Sequence, residues 1–270
     1  VSAGRIKVCG LTRVEDVAAA VALGADLLGL NFWPRSPRWI DRETGRALAE
    51  AARRAAQRRG REILLAGVFV NQSREAIEAL DRAVGLDLIQ LHGDEPPEFA
   101  ATFGKRLLRA VRSAGAPAPE VFGAYPTAWG FLVDVADGVR YGGTGEAWDY
   151  GALAALLAPA PGVPKEAGTS GKEAGTLVSR STTRDCKEAG TSENEAGTFG
   201  RGGTGRLATG QPVLIAGGIR PGNARAALAA SGAWGVDVCS GVEATPGIKD
   251  LDLMRELFTE VHHGEGATAP

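Results

Sequence analysis

Eight short apolar runs, each followed by a stretch of helical spacing, constrain this chain more than any other feature. The spacing predicts strands over 6–9, 27–32, 63–70, 86–91, 107–111, 131–134, 213–216 and 236–239. The runs are rich in Val, Leu and Ile, as parallel strands buried on both faces are. Eight strand–helix units in series most simply close into an α/β fold of the (β/α)8 TIM-barrel type. A chain of 270 residues suits a single domain of that kind. An open doubly wound sheet is the alternative, and no G-x-G-x-x-G follows the first run to support it.

The helices between the runs carry start and stop signals. Thr12 and Glu15 have the form of a capping box before "VAAAVALG", which should stop at Gly24. Ser73 and Asp149 are N-cap candidates, and Pro221 sits where a first helical turn would begin. The weakest unit is 113–129, where "APAPEVFGAYP" supports a turn or two of helix.

One region breaks the rhythm. EAGT occurs four times between Leu157 and Val213, starting at Glu166, Glu173, Glu188 and Glu195. Large apolar residues are nearly absent there, so burial cannot offset the entropy of ordering. Residues 160–210 therefore read as a disordered low-complexity insertion between the sixth helix and the seventh strand. That connection lies on the N-terminal face of a barrel, away from the usual site of chemistry.

The bulk numbers narrow the function. A formal charge of −2 gives no reason to expect nucleic acid or an acidic membrane surface. No apolar run approaches the roughly 18 residues of a membrane span, and the N-terminal residues lack a signal-peptide pattern. Three scattered cysteines, Cys9, Cys186 and Cys239, fit neither a disulfide framework nor a thiolate metal site. A cytoplasmic protein is expected, with its oligomeric state unreadable.

Reactive groups in such a barrel gather where strands end at the C-terminal face. Cys9 ends the first strand, and the loop after the second carries Arg35 and Arg38 near Trp33 and Trp39. Asn71 follows the third strand, Gln90 and His92 end the fourth, Arg109 lies in the fifth and Asp134 ends the sixth. Gly217-Gly218 and Ser240-Gly241 end the last two strands, where barrels commonly hold phosphate. "GGTG" at 142–145 is a third small-residue loop. Cys9 and Asp134 are the acid–base candidates, since a lowered thiol is a competent base and a buried carboxyl a competent acid. Taken singly, Cys9 is more often a small buried apolar residue than a functional one, Asp134 stands closer to even, and His92 and Gln90 read as satisfied polar groups.

The motifs "IKVCGLT" at 6–12, "GLNFWPRSPRWI" at 29–40, "LIQLHGDE" at 88–95, "FLVD" with "YGGTGEAWDY" at 131–150, "PVLIAGGI" at 212–219 and "GVDVCSGVEATPGIKD" at 235–250 together resemble the phosphoribosylanthranilate isomerases of tryptophan biosynthesis. The resemblance implies an Amadori rearrangement of N-(5-phosphoribosyl)anthranilate, without metal or organic cofactor. It implies Asp134 as general acid at the ring oxygen and Cys9 as general base at C2. Arg38 would face the anthranilate carboxylate, while Gln90, His92 and Asp237 line the pocket. Gly217, Gly218, Ser240 and Gly241, with Gly143, would hold the phosphate. Cys239 stands where the family more usually has Ser. By strand alternation it shares a face with Asp237, at the same barrel end as Cys9. Indole-glycerol-phosphate synthases and ribulose-phosphate epimerases are the competing barrels. They need strand-end Glu and Lys pairs, or metal-binding His and Asp, and this chain has three histidines with two in its tail. A non-catalytic barrel would have been favoured by loss of Cys9 or Asp134.

Overall fold

The computed structural model describes residues 4–113, 117–135, 150–157 and 205–262. Most of the expected insertion, together with Gly143 and the helix cap expected at Asp149, lies outside the described residues.

Eight parallel strands pair in chain order and close into a barrel: β1 (Arg5–Cys9), β2 (Leu27–Asn31), β3 (Leu64–Phe69), β4 (Leu88–Leu91), β5 (Leu107–Ser113), β6 (Gly130–Val135), β7 (Val213–Ala216) and β8 (Gly235–Val238). Helices α1 (Val14–Leu23), α2 (Arg42–Arg58), α3 (Arg74–Val84), α4 (Pro97–Ala101), α5 (Pro119–Gly123), α6 (Tyr150–Leu157), α7 (Ala224–Ser231) and α8 (Leu251–His262) alternate with them. A small antiparallel pair, β9 (Glu243–Thr245) and β10 (Ile248–Lys249), separates β8 from α8. The expected (β/α)8 barrel is the observed one. α5, in the weakest unit, has five residues.

Strand alternation sorts the core into two shells. Ile6, Val8, Leu28, Leu30, Val236 and Val238 point outward and bury against the helices. Leu27, Leu64, Leu88, Leu108, Leu132 and Leu214 point inward and fill the lumen. Trp234 joins this inner set and meets Trp129 edge-on, with ring centroids 5.7 Å apart. Lys7, Cys9, Gln90, Asp134 and Asp237 share the inward parity of their strands, so alternation alone carries them towards the barrel axis.

Two start signals are overturned. α1 begins after Arg13 with no side-chain cap, because the Thr12 hydroxyl donates to the Gly247 carbonyl at 2.5 Å. That tertiary acceptor, in the turn between β9 and β10, outcompetes the helix's own N–H groups. α7 begins at Ala224, three residues beyond Pro221, because the Asn223 side chain ties the preceding turn: its Oδ1 accepts from the Arg220 N–H and its Nδ2 donates to the Gly218 carbonyl. Ser73 does cap α3, accepting from the Ala76 N–H, and α1 stops at Gly24.

Candidate active site

Cys9 ends β1 at the C-terminal mouth and is 8% exposed. Its register partner on β2 is Gly29, where an added Cβ would stand 2.6 Å from the Cys9 sulfur. Glycine there makes room for the thiol. Gly10, next in the chain, has φ +71, a left-handed conformation that glycine adopts without steric cost. A Cβ on Gly10 would also meet the Arg38 Cδ at 2.5 Å and the Cys239 sulfur at 2.9 Å. The glycine after the thiol therefore serves both the turn and the close approach of two neighbours.

The surroundings of Cys9 favour its thiolate. A hydrogen bond from the Cys239 thiol outweighs burial, and the ammonium groups of Lys7 and Lys249 add to it, so the Cys9 pKa falls well below the ordinary thiol range. Cys239 is driven the opposite way by the same contact and by burial, and it keeps its proton. Lys7 is fully buried, with Nζ 2.9 Å from Asp237 Oδ1. Burial opposes its charge, but Asp237 and Cys9 overcome that and raise its pKa. Burial lifts the Asp237 carboxyl to about 7 against the pull of Lys7. Asp237, expected to line the pocket, sits one lumen layer below Cys9 as the counter-ion of Lys7.

On the opposite wall, β4 and β6 bring Gln90, His92 and Asp134 into one line. His92 Nε2 lies 3.0 Å from Asp134 Oδ2, and His92 Nδ1 lies 3.0 Å from Gln90 Nε2. With the Gln90 amide donating to Nδ1, the ring's proton sits on Nε2 and points at Asp134. Gln90 Oε1 is buried with no partner among the described residues.

Arg38 comes from the β2–α2 loop, which returns to the strand end through a bridge between Asn31 and Trp39. Its Nε and Nη2 are held by Glu243 at 2.8 Å and 2.6 Å, leaving Nη1 without a partner among the described residues. Burial would raise the Glu243 carboxyl, but Arg38 and Lys249 hold it below the usual carboxylate range. Lys249 Nζ reaches Glu243 Oε1 at 2.9 Å and the Cys239 carbonyl at 3.0 Å.

The phosphate-loop candidates meet at the rim. Gly217 and Gly218 both have positive φ, +87 and +66. A Cβ on Gly241 would collide with the Ile219 carbonyl, so the loops after β7 and β8 touch backbone to backbone. Ser240 is exposed beside them.

Arg109 and Asn71, expected at the mouth, do structural work instead. Arg109 shares the outward parity of Leu107 and Val111, and its guanidinium donates to Leu91 O, Gly93 O and Glu95 Oε2. Glu95 also accepts from the Asn71 N–H, so the pair staples the β4–α4 loop to β3. Sequence reasoning missed Lys7, Gly29, Glu243 and Lys249. Lys7 carried a usable signal, a lysine two residues before Cys9 inside an otherwise apolar strand. Among the described residues, no cluster of His, Cys, Asp and Glu could hold a metal ion, and no helix is long and apolar enough to cross a membrane.

Residues 6–166 and 204–260 match the family model described as N-(5'phosphoribosyl)anthranilate (PRA) isomerase. The gap in that match falls on the EAGT-bearing stretch. An N-(5'-phosphoribosyl)anthranilate isomerase of Myxococcus xanthus is 36% identical over 257 residues, covering 93% of this chain and 92% of the relative. A phosphoribosyl anthranilate isomerase structure from Thermus thermophilus is 30% identical, with TM-score 0.64 over 95% of this chain and 97% of its own. A phosphoribosyl anthranilate isomerase structure in complex with reduced 1-(o-carboxyphenylamino)-1-deoxyribulose 5-phosphate is 24% identical, with TM-score 0.62 over 96% of this chain and 98% of its own. At that identity the last likeness speaks for the fold.

Proposed function

The chain belongs to the N-(5'-phosphoribosyl)anthranilate isomerase family, and from that membership we infer its reaction. It isomerises N-(5-phosphoribosyl)anthranilate to 1-(2-carboxyphenylamino)-1-deoxyribulose 5-phosphate in tryptophan biosynthesis, an aldose–ketose conversion. We propose the following division of labour among its residues.

Asp134 protonates the furanose ring oxygen as the anilino nitrogen pushes open the C1–O bond, leaving a protonated imine at C1. His92, oriented by Gln90, fixes which carboxyl oxygen faces the substrate. Cys9, as thiolate, removes the C2 proton, and the electron pair moves to form the enaminol. Protonation at C1 and loss of the C2 hydroxyl proton then complete the ketone. A base and an acid on opposite walls of one mouth suit this sequence, because neither neutralises the other before the substrate separates them. The observation that carries the assignment is the setting of Cys9: a thiol donor and two ammonium groups favour its anion where a strand end delivers it to the mouth.

Arg38 is assigned to the anthranilate carboxylate, presenting Nη1 while Glu243 holds the rest of the guanidinium in one plane. Gly217, Gly218, Ser240 and Gly241 are assigned to the phosphate, whose oxygens suit exposed backbone N–H groups at such a rim. Lys7 and Asp237 act from below, as a buried pair that keeps positive charge close to the thiolate. We place the enzyme in the cytoplasm, where a thiol base stays reduced.

The test is the decay of anthranilate fluorescence on freshly made phosphoribosylanthranilate, comparing the intact chain with Cys9→Ser and Asp134→Asn. A fast decay, lost in both variants, supports the assignment. A decay that survives either substitution overturns that residue's role.

A further inference from the structure

The reaction needs one thiol at the barrel mouth, and the structure places a second beside it. β1 and β8 are hydrogen-bonded neighbours in the closed barrel, with Lys7 opposite Asp237 and Val8 opposite Val238. Cys9 and Cys239 are the residues that follow the last of these pairs, Cys239 where the chain turns out of β8. Both are free thiols, and a Cβ placed on Gly10, the residue after Cys9, would stand 2.9 Å from the Cys239 sulfur. Neighbouring strands stand about 4.8 Å apart, within the span of Cα separations a disulfide bridges.

We propose that Cys9 and Cys239 form a peroxide-sensitive dithiol, whose closure to a disulfide switches the active site off and whose reduction restores it. The inference rests on the assignment of Cys9 as the base only for its effect on turnover; bond formation is independent of it.

The two sulfurs divide the chemistry between them. The Cys9 thiolate attacks one oxygen of hydrogen peroxide, breaking the O–O bond to give a sulfenic acid and hydroxide. Cys239 then attacks the Cys9 sulfur, losing its thiol proton, and the sulfenic oxygen leaves as water. Two thiols and one peroxide become one disulfide and two waters, with two electrons passing from sulfur to oxygen. The roles follow from the site. Cys9, held as the anion by its donors and cations, is the nucleophile towards peroxide. Cys239, whose sulfur lies 4.0 Å from the Glu243 carboxylate, keeps its proton until a sulfenic acid appears beside it. Closure removes the lone pair that would take the C2 proton. It also keeps Cys9 from over-oxidation, because the resolving thiol is a near neighbour.

The experiment treats the full chain with hydrogen peroxide, then counts thiols in denaturant, maps cross-linked peptides by mass and follows turnover before and after dithiothreitol. The count is expected to fall from three thiols to one, with a peptide joining Cys9 to Cys239. Turnover should fall more than tenfold and return on reduction. Cys186→Ser, which keeps both Cys9 and Cys239, should give the same bridge and the same reversible loss. Cys239→Ser, normalised to its own untreated rate, should lose turnover without recovering it. Three free thiols after treatment, a sulfinic Cys9 beside a free Cys239, or a bridge to Cys186 would each overturn the proposal. A Cys9–Cys239 bridge with undiminished turnover would overturn the switch and, separately, the role of Cys9 as base.

Discussion

Glu243 grips Arg38 through both carboxylate oxygens, at 2.8 Å to Nε and 2.6 Å to Nη2. The same carboxylate takes the Lys249 ammonium at 2.9 Å, and its side chain is 3% exposed. One acidic residue just beyond β8 therefore aims the guanidinium and anchors a cation beside Cys9.

Replacing Glu243 with Gln leaves the shape and removes the charge. Arg38 then loses its bidentate partner, and KM for the substrate is expected to rise about tenfold, equivalent to about 1.4 kcal/mol of binding. The turnover number should change less, which steady-state kinetics will separate. Stability should fall by about 1.5–3 kcal/mol at neutral pH, the worth of a charge-assisted hydrogen bond. The sign of the pH dependence follows from a carboxyl held below its ordinary range. Its contribution is present above the ordinary Glu value of about 4.3 and is lost as pH falls through the lowered one. Urea melts of the two proteins should therefore converge in acid.

Cys9→Ser and Asp134→Asn should each lower kcat by about 10²–10⁴-fold, the usual contribution of a positioned acid or base. Their melting temperatures should stay near that of the parent, since neither change removes a core side chain. His92→Asn should lower kcat less than Asp134→Asn, because His92 acts through the carboxyl it contacts at 3.0 Å.

The thiolate of Cys9 can be read directly by its alkylation. The rate of iodoacetamide modification should reach half its plateau below pH 8.5, the ordinary thiol value. Cys239→Ala removes the largest stabiliser of the anion and should move that midpoint upward. A midpoint at or above 8.5 in the parent would contradict the assignment of Cys9 as the resting anion.

Gly10→Ala and Gly60→Ala separate backbone strain from crowding. Both positions have positive φ, +71 and +59, so each should lose about 1–2 kcal/mol for a left-handed alanine. Gly60 has nothing within 4 Å of an added Cβ, whereas Gly10 faces Arg38 and Cys239. Gly10→Ala should therefore also raise KM and slow turnover, while Gly60→Ala leaves both unchanged.

Much of the site was legible because burial and alternation are local. Cys9 and Asp134 end strands whose apolar runs mark their positions, and both fall on the inward parity that the strand period dictates. Arg109 was misjudged because being near a strand end is weaker information than parity: it lies on the outward set of β5 and clamps Glu95. Thr12 was misjudged for a different reason. Its local partner in the capping box was readable, whereas the Gly247 carbonyl lies 235 residues away in the chain.

By itself the sequence determined the barrel, the order of its strands and the residues delivered to its mouth, because the period of two along a buried strand and the closure of eight units leave few alternatives. Only the tertiary structure decided which of those residues act on one another. The cage of Lys7, Lys249, Cys239 and Glu243 around Cys9 and Arg38 depends on β8 returning beside β1 and on how far each long side chain reaches across that seam. Coulomb attraction and hydrogen bonding fall steeply with distance, and distance between remote residues exists only once the chain has closed.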